Sequence, residues 1–208
     1  MKVIPVVVGS FQVNAYIVAS DSGKALVIDP GDDAGIIGVT LRQNKLTVAA
    51  YLITHGHMDH VSGLAEMTRT FPAPVLMHPK DEAWAFSPAN AILPHYESPE
   101  RPAKIERHAA AKMQCEDAGL KYEVIATPGH TPGGVCYYFP AAKTLFTGDT
   151  LFSGSVGRTD LEGSDEVLME RSLKRLTQLP DDTIVYPGHG PQTTIGREKK
   201  VNPFLKIS

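Results

Sequence analysis

Apolar positions near the N-terminus come in short runs and not in helical stripes. Residues 3–8, 15–19 and 25–29 are β-rich and separated by Gly9-Ser10 and the Asp21-Ser22-Gly23 turn, which predicts an opening meander of three strands. Pro30-Gly31-Asp32 ends the third. The period then changes: Ile36, Ile37, Thr40, Leu41 and Val48 mark a helix with one apolar stripe, capped near Asp32 or Asp33. Residues 49–54 return to a buried strand. A helix follows over 61–70 with Leu64 and Met67 inward, and 75–78 is another strand. This alternation of β, α and β is the pattern of a layered α/β fold.

The middle of the chain breaks the pattern. Residues 84–102 are proline-rich and aperiodic, with Trp84, Phe86 and Tyr96 reading as exposed aromatics. An irregular segment of that length is either a lid or substrate loop or an ordered surface insert. Residues 103–113 have helical composition. Segments 113–116 and 120–126, joined by Asp117-Ala118-Gly119, read as a hairpin. Strands are expected at 135–139, 145–147 and 183–186. Ser164 is expected to cap a helix whose Leu168, Leu173 and Leu176 face inward, and 195–205 to add a short helix. No repeat or linker divides the chain, so residues 1–208 are expected to form one domain with an irregular insert at about 84–112.

Composition narrows the class. A chain of 208 residues with 42% apolar content can bury a substantial core. Its formal charge of −3 gives no electrostatic reason to expect nucleic acid or an anionic membrane as partner. No apolar run approaches the ~20 residues needed to span a bilayer. Lys2 followed by Val3-Ile4-Pro5-Val6-Val7-Val8 is too short and too proline-broken for a signal peptide and reads as the first strand. Cys115 and Cys136 form no CxxC pattern and are expected to be free thiols in a reducing compartment. These features together predict a soluble cytoplasmic protein.

The densest chemistry lies in Thr54-His55-Gly56-His57-Met58-Asp59-His60, where three histidines and an aspartate fall within six residues. A packed core has use for one buried histidine, not for three beside a carboxylate. Spacings of i, i+2 and i+5 do not fit one helical face. In extended backbone His55 and His57 point the same way, off the end of a strand, and Asp59 and His60 then come from the turn into the next element. Three further strand ends deliver donors beside glycine or proline: His130 in Thr127-Pro128-Gly129-His130-Thr131-Pro132-Gly133-Gly134, Asp149 after Gly148, and His189 in Pro187-Gly188-His189-Gly190. Imidazole and carboxylate donors without thiolate suit zinc, iron or manganese. His78 is expected to make a local hydrogen bond at a strand end, and His95 and His108 to lie on the surface.

The succession HxHxDH, TPGHTPG, TGDTLF and YPGH resembles the metallo-β-lactamase fold superfamily over nearly the whole chain. The resemblance implies a four-layer αββα sandwich with the metal site at one edge of the facing sheets. It implies two divalent ions per chain, zinc foremost and iron or manganese as alternatives. His55, His57 and His130 match the ligands of one, Asp59, His60 and His189 those of the second, and Asp149 the bridging carboxylate. Asp59 and Asp149 are thereby the expected catalytic carboxylates. Two such ions about 3.5–4 Å apart can hold a bridging hydroxide and polarise a carbonyl, so metal-assisted hydrolysis of an acyl compound is the expected reaction. Arg158 follows the bridging Asp149 closely. It is either a site for an anionic substrate group or the partner of Asp160 or Asp165.

Within that superfamily, residues 148–158 are most similar to glyoxalase II enzymes, the hydroxyacylglutathione hydrolases, and especially to their compact bacterial relatives. The implied substrate is a small-molecule hydroxyacyl thioester such as S-lactoylglutathione. Two departures stand out: only a short tail follows His189 where that family carries a helical domain, and Pro191 stands near the place of a tyrosine. The rival resemblance, at Gly157-Arg158-Thr159-Asp160, is to persulfide dioxygenases, which hold one iron at the positions of His55, His130 and Asp149. Lactonases and β-lactamases fit less well. A periplasmic β-lactamase would carry a signal peptide, and Asp149 replaces a cysteine common in such enzymes. Nucleases of the superfamily carry an inserted domain for which there is no room. The expected assembly is a monomer or small homo-oligomer with no nucleic-acid or membrane partner.

Overall fold

The computed structural model describes residues 1–109 and 113–205. Strands β1 (Lys2–Val8), β2 (Val13–Ala19) and β3 (Lys24–Ile28) form the expected antiparallel meander. β4 (Thr47–Leu52), β5 (Val75–Met77) and β6 (Arg107–His108) extend it in parallel, giving a six-stranded sheet in sequential order. Its connections are helical: α1 (Ala34–Gln43) before β4, α2 (Met58–Val61) and α3 (Leu64–Thr70) before β5, and α4 (Pro79–Ala85) after it.

The second sheet begins with the expected hairpin of β7 (Met113–Asp117) and β8 (Leu120–Ala126), followed by β9 (Val135–Phe139) and β10 (Thr144–Gly148). A small hairpin of β11 (Leu151–Phe152) and β12 (Ser155–Val156) and then α5 (Glu166–Leu176) lead to β13 (Ile184–Pro187), which pairs parallel to β10. β14 (Thr193–Thr194) and α6 (Ile195–Val201) finish the order β14-β13-β10-β9-β8-β7.

Three apolar layers make this an αββα sandwich. Val18, Leu26, Leu52 and Leu76 of the first sheet meet Tyr122, Tyr137, Phe139 and Phe146 of the second. On the outer face of the first sheet, Ile17, Val27 and Ile53 pack with Ile37 and Leu41 of α1 and Leu64 and Met67 of α3. On the outer face of the second, Cys136, Leu145 and Val185 pack with Met169, Leu173 and Leu176 of α5. Central strands are thus covered on both faces, and β2, β9 and β10 are buried along their whole length. That is why their sequences read as continuous apolar runs with no alternation.

The structure corrects several details. Val48 belongs to β4, and Ile36 is exposed; the buried stripe of α1 is Ala34, Ile37, Gly38 and Leu41, which holds the 3.6-residue period better. Asp33 does stand at the N-cap of α1, but its carboxylate accepts Gly9 N–H at 2.9 Å and caps no helix donor. The helix expected over 61–70 is interrupted at Ser62-Gly63, where Gly63 N–H turns to Gly31 C=O at 3.1 Å. Asp165, not Ser164, caps α5 by accepting Leu168 N–H at 2.8 Å, and Met169 takes the inward position assigned to Leu168.

The insert is more ordered than its composition suggests. α4 runs through Trp84, and Tyr96 is only 4% exposed because its ring packs on Phe11 at 5.1 Å. The helix expected over 103–113 does not form in its described part. β6 pairs with β5 there and Ala109 enters the inter-sheet layer, so an open sheet edge overrides helical composition. Residues 110–112 of that expectation lie outside the described residues. Among the described residues no helix is long and apolar enough to cross a membrane, and Cys115 and Cys136 are both free thiols.

Candidate metal centre

Four strand ends converge at one edge of the sandwich. The segment after β4 carries His55 and His57, and α2 carries Asp59 and His60. The β8–β9 loop carries His130, and the ends of β10 and β13 carry Asp149 and His189. Polar contacts between the sheets fix this edge. Tyr137 donates to Ile53 C=O at 2.7 Å, and Val135 N–H to Thr54 C=O at 2.8 Å. From β2, Tyr16 donates to Pro187 C=O at 2.7 Å, and Asn14 to Pro187 C=O at 3.1 Å and Gly190 C=O at 2.8 Å, holding the loop of His189.

All seven expected donors meet there. Atoms of His55, His57 and His130 lie within 4.8 Å of one another, as do atoms of Asp59, His60 and His189. Asp149 faces both trios: Oδ1 lies 3.4 Å from His60 Nε2, and Oδ2 lies 3.6 Å from His130 Nε2 and 3.6 Å from His189 Nε2. Asp59 Oδ2 lies 3.4 Å from His189 Nε2. Gly188 makes this approach possible, since a methyl group there would overlap Asp149 Oδ1 and crowd His60 Cε1.

The outward side of four of the five rings, all but His57, meets a protein oxygen. His60 Nδ1 meets Asp29 Oδ2 at 3.0 Å, His130 Nδ1 the Arg158 carbonyl at 2.8 Å, and His189 Nδ1 the Phe11 carbonyl at 3.1 Å. His55 Nδ1 lies 3.1 Å from Thr54 Oγ1, which itself donates to Asp29 Oδ2 at 2.6 Å. Protons on Nδ1 leave the Nε2 lone pairs facing the centre. His55 Nε2, His60 Nε2, His130 Nε2 and Asp149 Oδ1 are buried without a hydrogen-bond partner in the protein. Each such orphan costs about 1–3 kcal/mol. A convergent set of four, one trio of imidazoles, one of two imidazoles and a carboxylate, and the shared Asp149 fit divalent metal ions.

Charge is arranged to match. Burial, with His60, His57 and His130 adding to it, holds His55 well below the usual imidazole range. Burial and His130 take His57 down to about 4, so both rings are neutral at physiological pH. Burial pushes Asp149 up, but His60, His189 and His130 outweigh it and keep the carboxyl far below its ordinary range. Asp59 behaves likewise beside His60 and His189. Burial lowers His60, yet Asp149 and Asp59 raise it well above the usual value.

A groove of about 540 Å³ opens on the centre. His57, Asp59, His130 and Asp149 reach into it beside apolar Phe11, Met58, Trp84, Ile92 and Leu161, and Arg158 and Glu162 also line it. Its size suits a small organic ligand, for which sites of about 300–1,000 Å³ are usual. Arg158 forms a two-pronged pair with Asp160, both distances 2.7 Å, while Asp165 is engaged at the cap of α5. Away from the centre, His78 accepts Lys80 N–H at 3.1 Å, and His95 and His108 are exposed.

Sequence reasoning missed Asp29, Asp81, Asn90 and the carbonyl of Phe11. Asp29 had a signal: a lone carboxylate ends an apolar strand directly before Pro30-Gly31, where burial demands partners. The other three had none, because each is tied to the site by a partner at least 25 positions away.

Comparison with known proteins agrees with this geometry. The family model described as the metallo-beta-lactamase superfamily matches residues 8–189. An uncharacterized Aquifex aeolicus protein is 39% identical, covering 98% of this chain and 96% of its own. The probable metallo-hydrolase YqgX of Bacillus subtilis is 36% identical (95% and 94%), and the hydroxyacylglutathione hydrolase GloC of Haemophilus influenzae is 34% identical (99% and 97%). Among solved structures, the B3 metallo-beta-lactamase BLEG-1 superposes with TM-score 0.93 at 37% identity, covering 99% of this chain and 100% of that one. TTHA1623 in a di-iron-bound form gives 0.89 at 39% identity (97% and 100%), and ETHE1 from Myxococcus xanthus 0.83 at 25% identity (100% and 86%). The chain belongs to the metallo-β-lactamase superfamily.

Proposed function

We propose that this protein is a dinuclear thioester hydrolase of the glyoxalase II type, cleaving hydroxyacyl thioesters such as S-lactoylglutathione. The observation that carries the reading is the pair of donor trios sharing Asp149, with four buried donor atoms lacking any protein partner. His55, His57 and His130 would hold one ion, Asp59, His60 and His189 the other, and Asp149 would stand between them. Bound there, two divalent ions, zinc first and iron or manganese otherwise, supply Lewis acidity and a water acidified toward neutral pH.

The chain's own residues do the rest. Asp29, Thr54 and the carbonyls of Phe11 and Arg158 orient the imidazoles of His55, His60, His130 and His189. Asp59 and Asp149 are carboxylates that face a substrate in the groove, and Phe11, Trp84 and Ile92 give it apolar walls. Arg158 is the cation on that lining and the candidate for binding a substrate carboxylate. A 34% identical hydroxyacylglutathione hydrolase supports the thioester, and a di-iron form of a 39% identical protein supports two ions. The partner is a small molecule.

Two other reactions compete. Likeness to a B3 metallo-β-lactamase makes β-lactam opening a second reading, also attack on an acyl carbon. Persulfide dioxygenation would use His55, His130 and Asp149 alone. The test is turnover of S-lactoylglutathione, a penicillin and glutathione persulfide by metal-reconstituted protein, under argon and in air. Thioester hydrolysis unaffected by argon is expected. Oxygen-dependent persulfide consumption with one iron per chain would overturn the proposal.

A further inference from the structure

We propose that Asp81, on α4, is a positioning residue for one of the two donor trios, tying the loop of His55 and His57 to the loop of His130. Asp81 is fully buried and touches no donor atom of the centre itself. Its Oδ2 accepts Gly56 N–H at 2.9 Å and the Thr131 hydroxyl at 2.6 Å, and its Oδ1 accepts Gly133 N–H at 2.6 Å. Gly56 stands between His55 and His57, and Thr131 directly follows His130. A single carboxylate thereby fixes the spacing between two loops that spring from different sheets.

Asn90 holds the same loop from a second side. It donates to Gly56 C=O at 2.8 Å and to Ala85 C=O at 2.6 Å, and accepts Met58 N–H at 3.2 Å. Both the N–H and the C=O of Gly56 are thus tied to the segment 81–90. The contact is close: a methyl group at Gly133 would come within 2.5 Å of Asp81 Oδ1, and one at Gly56 within 3.1 Å of the Cβ atoms of Asp81 and Ala85. Such short bonds to a carboxylate are stronger than neutral ones, and its loss would strand two main-chain donors and a hydroxyl.

The influence is one-sided. His60 and His189 take their outer partners from Asp29 and Phe11, and none of the three donors to Asp81 lies on α2 or in the loop of His189. Asp81 therefore acts on the His55/His57/His130 trio and leaves the Asp59/His60/His189 trio in place. This rests on the reading that those trios hold separate ions, and through Asn90 it gives the insert a share in building the centre.

The test is zinc titration against a chromophoric chelator for the wild type, Asp81→Asn and Thr131→Val, repeated in a His189→Ala background that breaks the other trio. Thr131→Val removes one donor without touching a charge and serves should Asp81→Asn not fold. The wild type should bind two ions. Both variants should weaken one of them, Asp81→Asn by about 10–100-fold as for other groups that orient metal ligands, and the same loss should appear in the His189→Ala background. The absorption spectrum of the cobalt-loaded Asp81→Asn protein should shift, because the ligand field of that trio changes. Two ions in the wild type with both sites weakened equally, or neither, would overturn the positioning role. Fewer than two ions in the wild type would overturn the two-ion reading beneath it.

Discussion

Asp29 Oδ2 lies 3.0 Å from His60 Nδ1 and also accepts the hydroxyl of Thr54, whose oxygen lies 3.1 Å from His55 Nδ1. One buried carboxylate therefore orients a ring from each donor trio. Its φ of +47° is a backbone conformation that asparagine adopts more readily than alanine, so Asp29→Asn is the variant that isolates the charge. That variant should fold, bind metal about 10–100-fold more weakly and lose activity in proportion. Chelator competition with thermal unfolding of the metal-free protein would check it; wild-type affinity in the variant would leave Asp29 a purely structural residue.

Asp149 faces the Nε2 atoms of both trios, reaching His60, His130 and His189. Asp149→Ala should lower turnover by more than the ~100-fold typical of an outer partner, while the circular dichroism spectrum stays that of the wild type. Unchanged turnover and metal content would place the centre elsewhere.

Arg158 plays two separable parts. Its carbonyl holds His130, and its side chain pairs with Asp160 while lining the groove. Arg158→Ala keeps the carbonyl, so metal content should not change. KM should rise for carboxylate-bearing thioesters and stay constant for neutral ones. An equal effect on both classes would reduce the side chain to its pair with Asp160.

Cys136 is fully buried, and that burial pushes its thiol up from 9.0 to about 11. The thiolate is the reactive form, so Cys136 should resist aromatic disulfide reagents at pH 8 in the native protein and react at once in denaturant. The unfolded chain loses this proton near pH 9 and the folded one only near 11, so the group's contribution to stability falls as pH rises through that interval. Peptide mapping of labelled native protein that finds Cys136 modified would contradict this.

Much of the molecule was legible in the chain. Continuous apolar runs gave the central strands because β2, β9 and β10 are covered on both faces, and His55, His57, His130, Asp149 and His189 stood out because each stands beside a glycine near a strand end. What escaped was decided by distant partners. Residues 103–109 became extended because the open edge of β5 needed pairing, Tyr96 was buried by Phe11, and Asp81 drew its importance from main-chain groups 25 and 52 positions away. Asp165 displaced Ser164 as the cap of α5 by a single position, with Asp165 N–H fixed on Gly129 C=O at 2.7 Å.

Two ions, held by the two trios around Asp149, would make the hydrolytic centre. Titrating metal-free protein with zinc under argon, while following S-lactoylglutathione hydrolysis and bound metal together, tests it most directly. Activity should climb with the second equivalent and level off at two ions per chain. Full activity at one equivalent, or none at two, would contradict the account.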